Sequence, residues 1–370
     1  MKIIFVITKA DEIGGAQTHV KDIANKMKQD GHQVTVIVGE KGALVSALNT
    51  LNIDVIILPS LVREISLYKD INCIYQLRRY INKLSPDIVT LHSSKAGIVG
   101  RLSLILTNIP VIFTAHGWAF ADGVSEKKKR LYILIERLFS RLADKIITVS
   151  HQDKELALKY KVSPNDKQVV IHNGIPDISI SHRPIKDVKN DKVINLISVA
   201  RFSDQKDHET LLKSLSLLNN RNWTLSLVGK GPLFNRTKEL SRKLKLENNI
   251  LFLGERNDVD ELLEKSDIFI LSSNWEGLPI SIIEAMRHSL PVIASNVGGV
   301  KELIDDNING FLVERKNSNQ LKEKIQYLID NESIRTEFGF KSRKKYINNF
   351  SFEEMYNKTI KLYTSLIKGK

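Results

Sequence analysis

Residues 272–286 read Ser272-Ser273-Asn274-Trp275-Glu276-Gly277-Leu278-Pro279-Ile280-Ser281-Ile282-Ile283-Glu284-Ala285-Met286, and their reading decides the fold. The residues just before them, Ile268-Phe269-Ile270-Leu271, form an unbroken apolar run, the mark of a strand covered on both faces. Beyond Pro279 the apolar residues take helical spacing, and proline suits a first helical turn because its fixed φ is right and its missing N–H costs nothing there. Strand, short loop and helix make the unit of a parallel α/β sheet. The loop of such a unit lies at the carboxyl end of the strands, where ligands bind, and the free N–H groups of the new helix favour an anion. Glu276 stands in the loop, before a glycine that lets a ligand approach the backbone, and Glu284 lies on the helix. By themselves the two carboxylates read equally well as a helix-start acid favouring the dipole and a solvated surface group.

The same alternation runs outward in both directions. Strands are expected at residues 2–8, 33–38, 54–58, 88–91, 111–114, 145–149 and 169–172, then at 193–199, 224–228, 250–253, 268–271, 292–294 and 310–313, with helical segments between most of them. Two mostly parallel, doubly wound sheets are the economical reading. A chain of 370 residues also exceeds what one core usually organises. The periodic signal stops after Pro176, and residues 177–191, broken by Pro184 and rich in Ser, Lys and Asp, read as a linker. The expected organisation is therefore a first domain over 1–176, the linker 177–191, a second domain over 192–350 and a closing helix over 351–370. The opening βαβ carries Gly14-Gly15 in its first loop but no Gly-x-Gly-x-x-Gly, which argues against nicotinamide binding.

Several expected strands end in polar or glycine-rich residues that a packed core does not need. In the first half these are His92-Ser93-Ser94-Lys95 and Thr114-Ala115-His116-Gly117; in the second they are Arg201 through Lys206, Gly229-Lys230-Gly231, Gly254-Glu255-Arg256 and Asn296-Val297-Gly298-Gly299. Arg201 offers a planar fork and Lys206 a compact charge, a pair suited to a diphosphate. The plainer alternative is a surface ion pair with Asp204 or Asp207. A lone histidine such as His116 is more often a capping residue than a catalyst.

The segment Glu276-Gly277-Leu278-Pro279 running on to Glu284 resembles the Glu, seven residues, Glu motif of retaining glycosyltransferase family 4, and the likeness extends over nearly the whole chain. That resemblance implies the GT-B architecture, two Rossmann-like doubly wound parallel-sheet domains facing a central cleft, with the last helix crossing back to the first domain. It implies that Glu276 bonds hydroxyls of the transferred sugar and that Glu284 holds the ribose diol of the nucleotide. Arg201 and Lys206 match the family's basic pair for the donor diphosphate, and Gly14 and Gly15 inherit a place opposite it. Gly229, Gly231 and Arg256 fall in loops near the nucleotide base, and Gly277, Leu278 and Pro279 complete the donor loop. His116 coincides with the histidine of a Thr-x-His-Gly motif beside sugar and acceptor, while His92 and Lys95 look like the acceptor-side pocket. The catalytic set so implied is His116, Glu276, Arg201 and Lys206. The expected activity is a retaining, metal-independent hexosyl- or N-acetylhexosaminyl-transferase with no cofactor, since no Asp-x-Asp stands at a plausible strand end. Its donor is expected to be a UDP-sugar, with GDP-sugars second, and its acceptor a lipid-linked saccharide in capsule, lipopolysaccharide or glycan assembly.

Composition bounds the partners. The net charge of +13, from 55 Lys and Arg against 42 Asp and Glu, calls for a polyanionic neighbour or ligand. Residues 125–141, Ser-Glu-Lys-Lys-Lys-Arg-Leu-Tyr-Ile-Leu-Ile-Glu-Arg-Leu-Phe-Ser-Arg, read either as an interfacial helix on anionic lipid or as a surface helix packing its apolar stripe inward. The single cysteine, Cys73, excludes an internal disulfide and fits a reducing compartment. No apolar run is long enough to cross a bilayer, so a cytoplasmic protein, peripheral on the inner face of the membrane, is expected. A nucleic-acid-binding module is disfavoured because the aromatic residues do not interleave with the basic runs. An epimerase or phosphorylase of the same architecture is the enzymatic rival.

Overall fold

In the computed structural model, residues 1–178, 193–219 and 222–369 are described. The chain divides into two compact units, one made of Met1–Gly174 with Phe352–Lys370 and the other of Ile175–Ser351. Apart from Asp177 and Ile178, the expected linker 177–191 lies outside the described residues.

The first unit holds β1 (Lys2–Ile7), β2 (Gln33–Val38), β3 (Asp54–Ile57), β4 (Ile88–His92), β5 (Val111–Ala115), β6 (Lys145–Thr148) and β7 (Gln168–Val170). They form one parallel sheet in the order β3-β2-β1-β4-β5-β6-β7. Side chains alternate across it: Ile3, Phe5 and Ile7 join one apolar core and Ile4 and Val6 the other, so β1 is apolar from Ile3 to Ile7 because it is buried on both sides. The C-terminal helix Phe352–Lys368 packs Phe352, Met355, Tyr356 and Tyr363 into the core that holds Phe5 and Ile7. Tyr356 also donates its hydroxyl hydrogen to Asp30.

The second unit holds β8 (Ile194–Val199), β9 (Trp223–Val228), β10 (Ile250–Gly254), β11 (Ile268–Leu271), β12 (Val292–Ser295) and β13 (Gly310–Val313). These make a second parallel sheet in the order β10-β9-β8-β11-β12-β13. In both sheets the first strand lies inside, and the chain winds to one side of it before returning to the other. The topology therefore reverses between β1 and β4 and between β8 and β11, which opens a crevice at the carboxyl ends of those strands. Apart from Gly254-Glu255-Arg256 at the end of the edge strand β10, the loop residues singled out above follow the ends of the strands at and beside these two reversals. Among the described residues no helix is long and apolar enough to cross a membrane.

Candidate active site

At the reversal of the second sheet the loops after β8 and β11 are laced together. The amide of Asp207 donates to the Ser272 carbonyl at 3.0 Å and that of Asn274 to the Gln205 carbonyl at 2.8 Å. Residues 70 apart in sequence thus become neighbours, and Lys206 forms an ion pair with Glu276, not with Asp204 or Asp207. The Glu276 carboxylate, 5% exposed, also accepts from Ser273 Oγ at 2.6 Å and Gln205 Nε2 at 3.2 Å. Behind Lys206 the His208 ring stacks on Phe202 with centroids 4.2 Å apart, and its Nδ1–H donates to the Lys206 carbonyl at 2.9 Å. Burial holds His208 down to about 4, so it serves as a neutral prop.

Gly298 presses on the same loop from β12. Its φ is +53°, and a Cβ there would stand 1.8 Å from the Glu276 carbonyl oxygen, so only glycine fits. The amide of Gly299 donates to the Gly277 carbonyl at 2.9 Å. The turn at 296–299 therefore fixes the height of Glu276. Leu278 and Pro279 are buried, which leaves the backbone of this loop for a ligand, and Glu284 is half-buried on the helix Ile280–Arg287. Arg201 is exposed just past β8. Gly229 and Gly231 lie against the same β8 loop, where added Cβ atoms would come within 2.2 Å of the Ala200 carbonyl oxygen and 2.3 Å of that of Phe202. Arg256, past the end of β10, engages Asp258 through Nε and Nη2, at 2.7 and 2.5 Å.

At the reversal of the first sheet, Thr8 Oγ1 and Ser93 Oγ tie the ends of β1 and β4 together at 2.9 Å. Gly14 caps and Gly15 opens the helix Gly15–Gln29, which points exposed backbone N–H groups outward at this rim and suits an anion. Beside it lies a cavity of about 770 Å³ whose walls include Lys95, His116, Phe113, Tyr132, Ile135 and Phe139.

His116 lines that cavity, but His92 does not. Its ring is wholly buried, with Nδ1 2.9 Å from His116 Nε2 and Nε2 3.1 Å from Thr90 Oγ1. The expectation that His92 meets the acceptor is therefore corrected: it stands behind His116, because residue 92 faces the core side of β4. Lys95 does reach the cavity, with its ammonium already held by both Asp70 oxygens at 2.6 and 2.7 Å. A third imidazole, His19, escapes a reading of the sequence because it lies on a helix face with Val20, Ile23 and Met27 and reads as core. It meets His116 edge to face at 4.9 Å, and its buried Nδ1 has no hydrogen-bond partner. The three rings bring nitrogens within 4.8 Å of one another, a set that could hold a metal ion in chemical terms. Burial, reinforced by the neighbouring imidazoles, holds His92 and His116 well below the ordinary histidine value, and burial alone holds His19 down to about 4. All three rings are neutral near pH 7.

Residues 13–177 match the family described as Glycosyltransferase Family 4, and residues 181–349 match Glycosyl transferases group 1. A UDP-Gal:alpha-D-GlcNAc-diphosphoundecaprenol alpha-1,3-galactosyltransferase of Escherichia coli is 29% identical over 350 residues, covering 91% of this chain and 90% of the relative. The O-antigen biosynthesis glycosyltransferase WbnH of Escherichia coli is 29% identical over 348 residues, covering 94% and 96%. Among solved structures, a glycosyltransferase from Rickettsia africae superposes with a TM-score of 0.82 at 26% identity, over 100% of this chain and 99% of that one. HepE of Anabaena, solved with UDP, superposes with a TM-score of 0.83 at 21% identity, over 99% and 100%. With two Rossmann-like parallel-sheet units, each matched by one of these families, the chain belongs to the GT-B glycosyltransferases that join a Glycosyltransferase Family 4 domain to a Glycosyl transferases group 1 domain.

Proposed function

We propose that the enzyme moves a sugar from a UDP-sugar to a hydroxyl of a lipid-linked saccharide, with retention at the anomeric carbon, in the assembly of a cell-surface polysaccharide. GDP-sugars are the second choice of donor. The observation that carries this reading is the Lys206–Glu276 pair at the reversal of the second sheet. A diphosphate drawn to Lys206 and Arg201 competes with Glu276 for the ammonium and releases that carboxylate to accept from sugar hydroxyls. Glu284 then takes the ribose diol, whose two neighbouring donors one carboxylate can satisfy. The names of the Escherichia coli relatives and the UDP-bound structures of HepE support the donor class and the lipid diphosphate acceptor.

In the transfer, the bond from the anomeric carbon to the diphosphate oxygen breaks, and negative charge grows on the leaving group beside Arg201 and Lys206. The acceptor oxygen bonds the same carbon from the same face, and its proton passes to the departing diphosphate. A double displacement needs a carboxylate nucleophile beneath the ring, and Glu276, once released by Lys206, is assigned to ring hydroxyls while Ser273 and Gln205 still hold it. The cationic pair also takes the place of a metal, so no metal cofactor is required. The deciding experiment presents UDP- and GDP-sugars with lipid-diphosphate saccharides, scores nucleotide release, and reads the product's anomeric configuration by NMR. Release that needs the acceptor, survives chelator and retains configuration is expected. Inversion, or complete loss with chelator, contradicts the mechanism, and turnover without any acceptor favours the epimerase or phosphorylase.

The acceptor side rests on the first unit. The helix Glu126–Ser140 exposes Leu131, Leu134 and Leu138 beside its basic head, and residues Ile65, Leu67, Tyr68, Ile71 and Tyr75 form a second exposed apolar group. Ile65 and the inner side of that helix both line the cavity. A surface of this kind suits docking on anionic lipid at the inner face of the membrane.

A further inference from the structure

Three histidines from three elements meet at the carboxyl end of the first sheet. His92 ends β4, His116 follows β5, and His19 sits in the second turn of the helix Gly15–Gln29. β4 and β5 are neighbours, with His92 paired to Thr114, so the backbone fixes where two of the rings stand. Ring centroids are 4.9 Å apart for His19 and His116, 5.2 Å for His92 and His116 and 5.5 Å for His19 and His92. Hydrogen bonds account for two of the rings: His92 Nδ1 meets His116 Nε2 at 2.9 Å, and His92 Nε2 meets Thr90 Oγ1 at 3.1 Å. They leave out the third. His19 Nδ1 is buried with no hydrogen-bond partner, on a helix whose other buried residues, Val20, Ile23, Ala24 and Met27, are apolar. An unpaired polar atom in such a place is costly and calls for a reason.

The donor set chooses an ion. Each ring offers a nitrogen within 4.8 Å of those of the other two, and among the described residues no carboxylate joins them. Magnesium and calcium want oxygen ligands, whereas imidazole suits zinc and copper. Three imidazoles with a fourth position left to water are a zinc shell, and the cavity that His116 lines admits both ion and water. Nitrogens held by one zinc ion at about 2.0–2.1 Å stand about 3.3 Å apart, between the 2.9 and 4.8 Å found here, so small side-chain rotations close the shell. Thr90 supplies its outer layer. When His92 Nδ1 holds an ion, the ring's one hydrogen sits on Nε2, where Thr90 Oγ1 accepts it and fixes the ring. The hydrogen that lies between His92 and His116 in the free protein moves to the outer nitrogen of whichever ring carries it, so the site needs no particular tautomer beforehand.

We infer that His19, His92 and His116 form a site for one divalent transition ion, zinc first, and that an ion there stops transfer. Coordination ties His116 to the two buried rings and sets a dication with its water at the cavity wall, where the acceptor saccharide has to lie. The ion is an inhibitor and not a cofactor, so removing it frees the enzyme. Binding can be read without any sugar, and the inference therefore stands apart from the function proposed above.

The test titrates the metal-free full chain with cobalt(II), whose visible absorption reports tetrahedral coordination, and then displaces the cobalt with zinc. One cobalt per chain, an intense visible band and its loss to zinc but not to magnesium are expected. X-ray absorption at the zinc edge should show three imidazole nitrogens at about 2.0–2.1 Å. His19→Gln and His92→Gln are expected to weaken zinc binding about tenfold or more, Thr90→Val about tenfold, and Thr90→Ser to restore it within about twofold. His151→Gln, at an exposed histidine, should change nothing. A pale, six-coordinate cobalt spectrum, or zinc binding that His19→Gln leaves intact, overturns the site. Should a core variant not fold, the wild-type cobalt spectrum and zinc-edge shell still decide. Zinc at a level that saturates the site is expected to cut acceptor-dependent nucleotide release about tenfold or more. Chelator should reverse this, and His19→Gln should need more zinc for the same effect. Undiminished release with zinc bound overturns the inhibitory role. Zinc binding without release in any metal state sinks the proposed function alone, and release by a chain that binds no zinc sinks the site alone.

Discussion

Gly298 shows how narrowly the loop that carries Glu276 is placed. Gly298→Ala is expected to push the 276–278 loop outward, to cost at least about 2 kcal/mol from the left-handed φ and the clash, and to lower kcat by an order of magnitude or more. Urea unfolding and nucleotide-release kinetics check this, and wild-type kinetics in the variant would remove Gly298 from the site. Glu276→Gln keeps the shape but loses the charge that Lys206 holds, so kcat is expected to fall roughly 10²-fold or more, whereas Glu284→Ala should mainly raise the KM for the donor. Glu276 and Glu284 stand out in the sequence only through the resemblance of their spacing to the family motif, since by themselves they read equally well as bland surface acids. Their partners do not stand out at all, since the contact of Lys206 with Glu276 depends on β8 and β11 lying side by side. His19 hides for a different reason: buried helical spacing is the same for a core residue and for one in a polar cluster. Burial gives it a pH signature, as it does His208. Both are held at about 4 when folded against an ordinary 6.5, so the unfolded chain binds protons first. Their neutral forms contribute fully above about pH 6.5, and that contribution is lost as the pH falls toward 4, at up to about 3 kcal/mol each. A urea midpoint that stays level from pH 7 to 4 would contradict this.

The helix Glu126–Ser140 carries two apolar stripes, and its sequence could not say which one faces inward. Glu136 decides: its carboxylate meets the buried Arg101 guanidinium at 3.0 Å, with Arg101 also over the Phe113 ring. That pair draws Ile133, Glu136 and Ser140 to the sheet and turns Leu131, Leu134 and Leu138 outward. Replacing the three leucines by asparagine is expected to lower binding to anionic liposomes by on the order of tenfold or more. Nucleotide-sugar hydrolysis in solution should be unaffected. Neutralising residues 127–130 should weaken the same binding and reduce its sensitivity to salt. Flotation assays read both, and unchanged flotation in the leucine variant would remove the stripe from the membrane. Among the elements, strands were the most legible: all thirteen expected segments are strands, each displaced by no more than about two residues, because burial on both faces writes central ones such as β1 and β11 as nearly continuous apolar runs.

At the scale of the whole chain, the order of strands within each sheet is less legible than their existence. It follows from right-handed crossovers and one reversal per sheet, which the sequence constrains but does not spell out. Nor does composition announce that the first unit borrows its cover from residues 352–370. Ending the chain at Ser351 uncovers Phe5, Ile7 and Ile88. Such a protein is expected to lose the first unit's cooperative unfolding while the second unit still unfolds as a block, a split that hydrogen exchange followed by mass spectrometry resolves. Equal protection of β1 and β4 in the truncated and intact chains would contradict it. The arrangement also sets a timetable on the ribosome. The segment 175–351 can emerge and fold as a finished body, while the portion made earlier waits, half-dressed, for residues 352–368 to be translated. A message cut short before residue 352 therefore yields a chain whose first unit presents bare apolar surface to chaperones and proteases, so synthesis of that helix doubles as an inspection of the translated product.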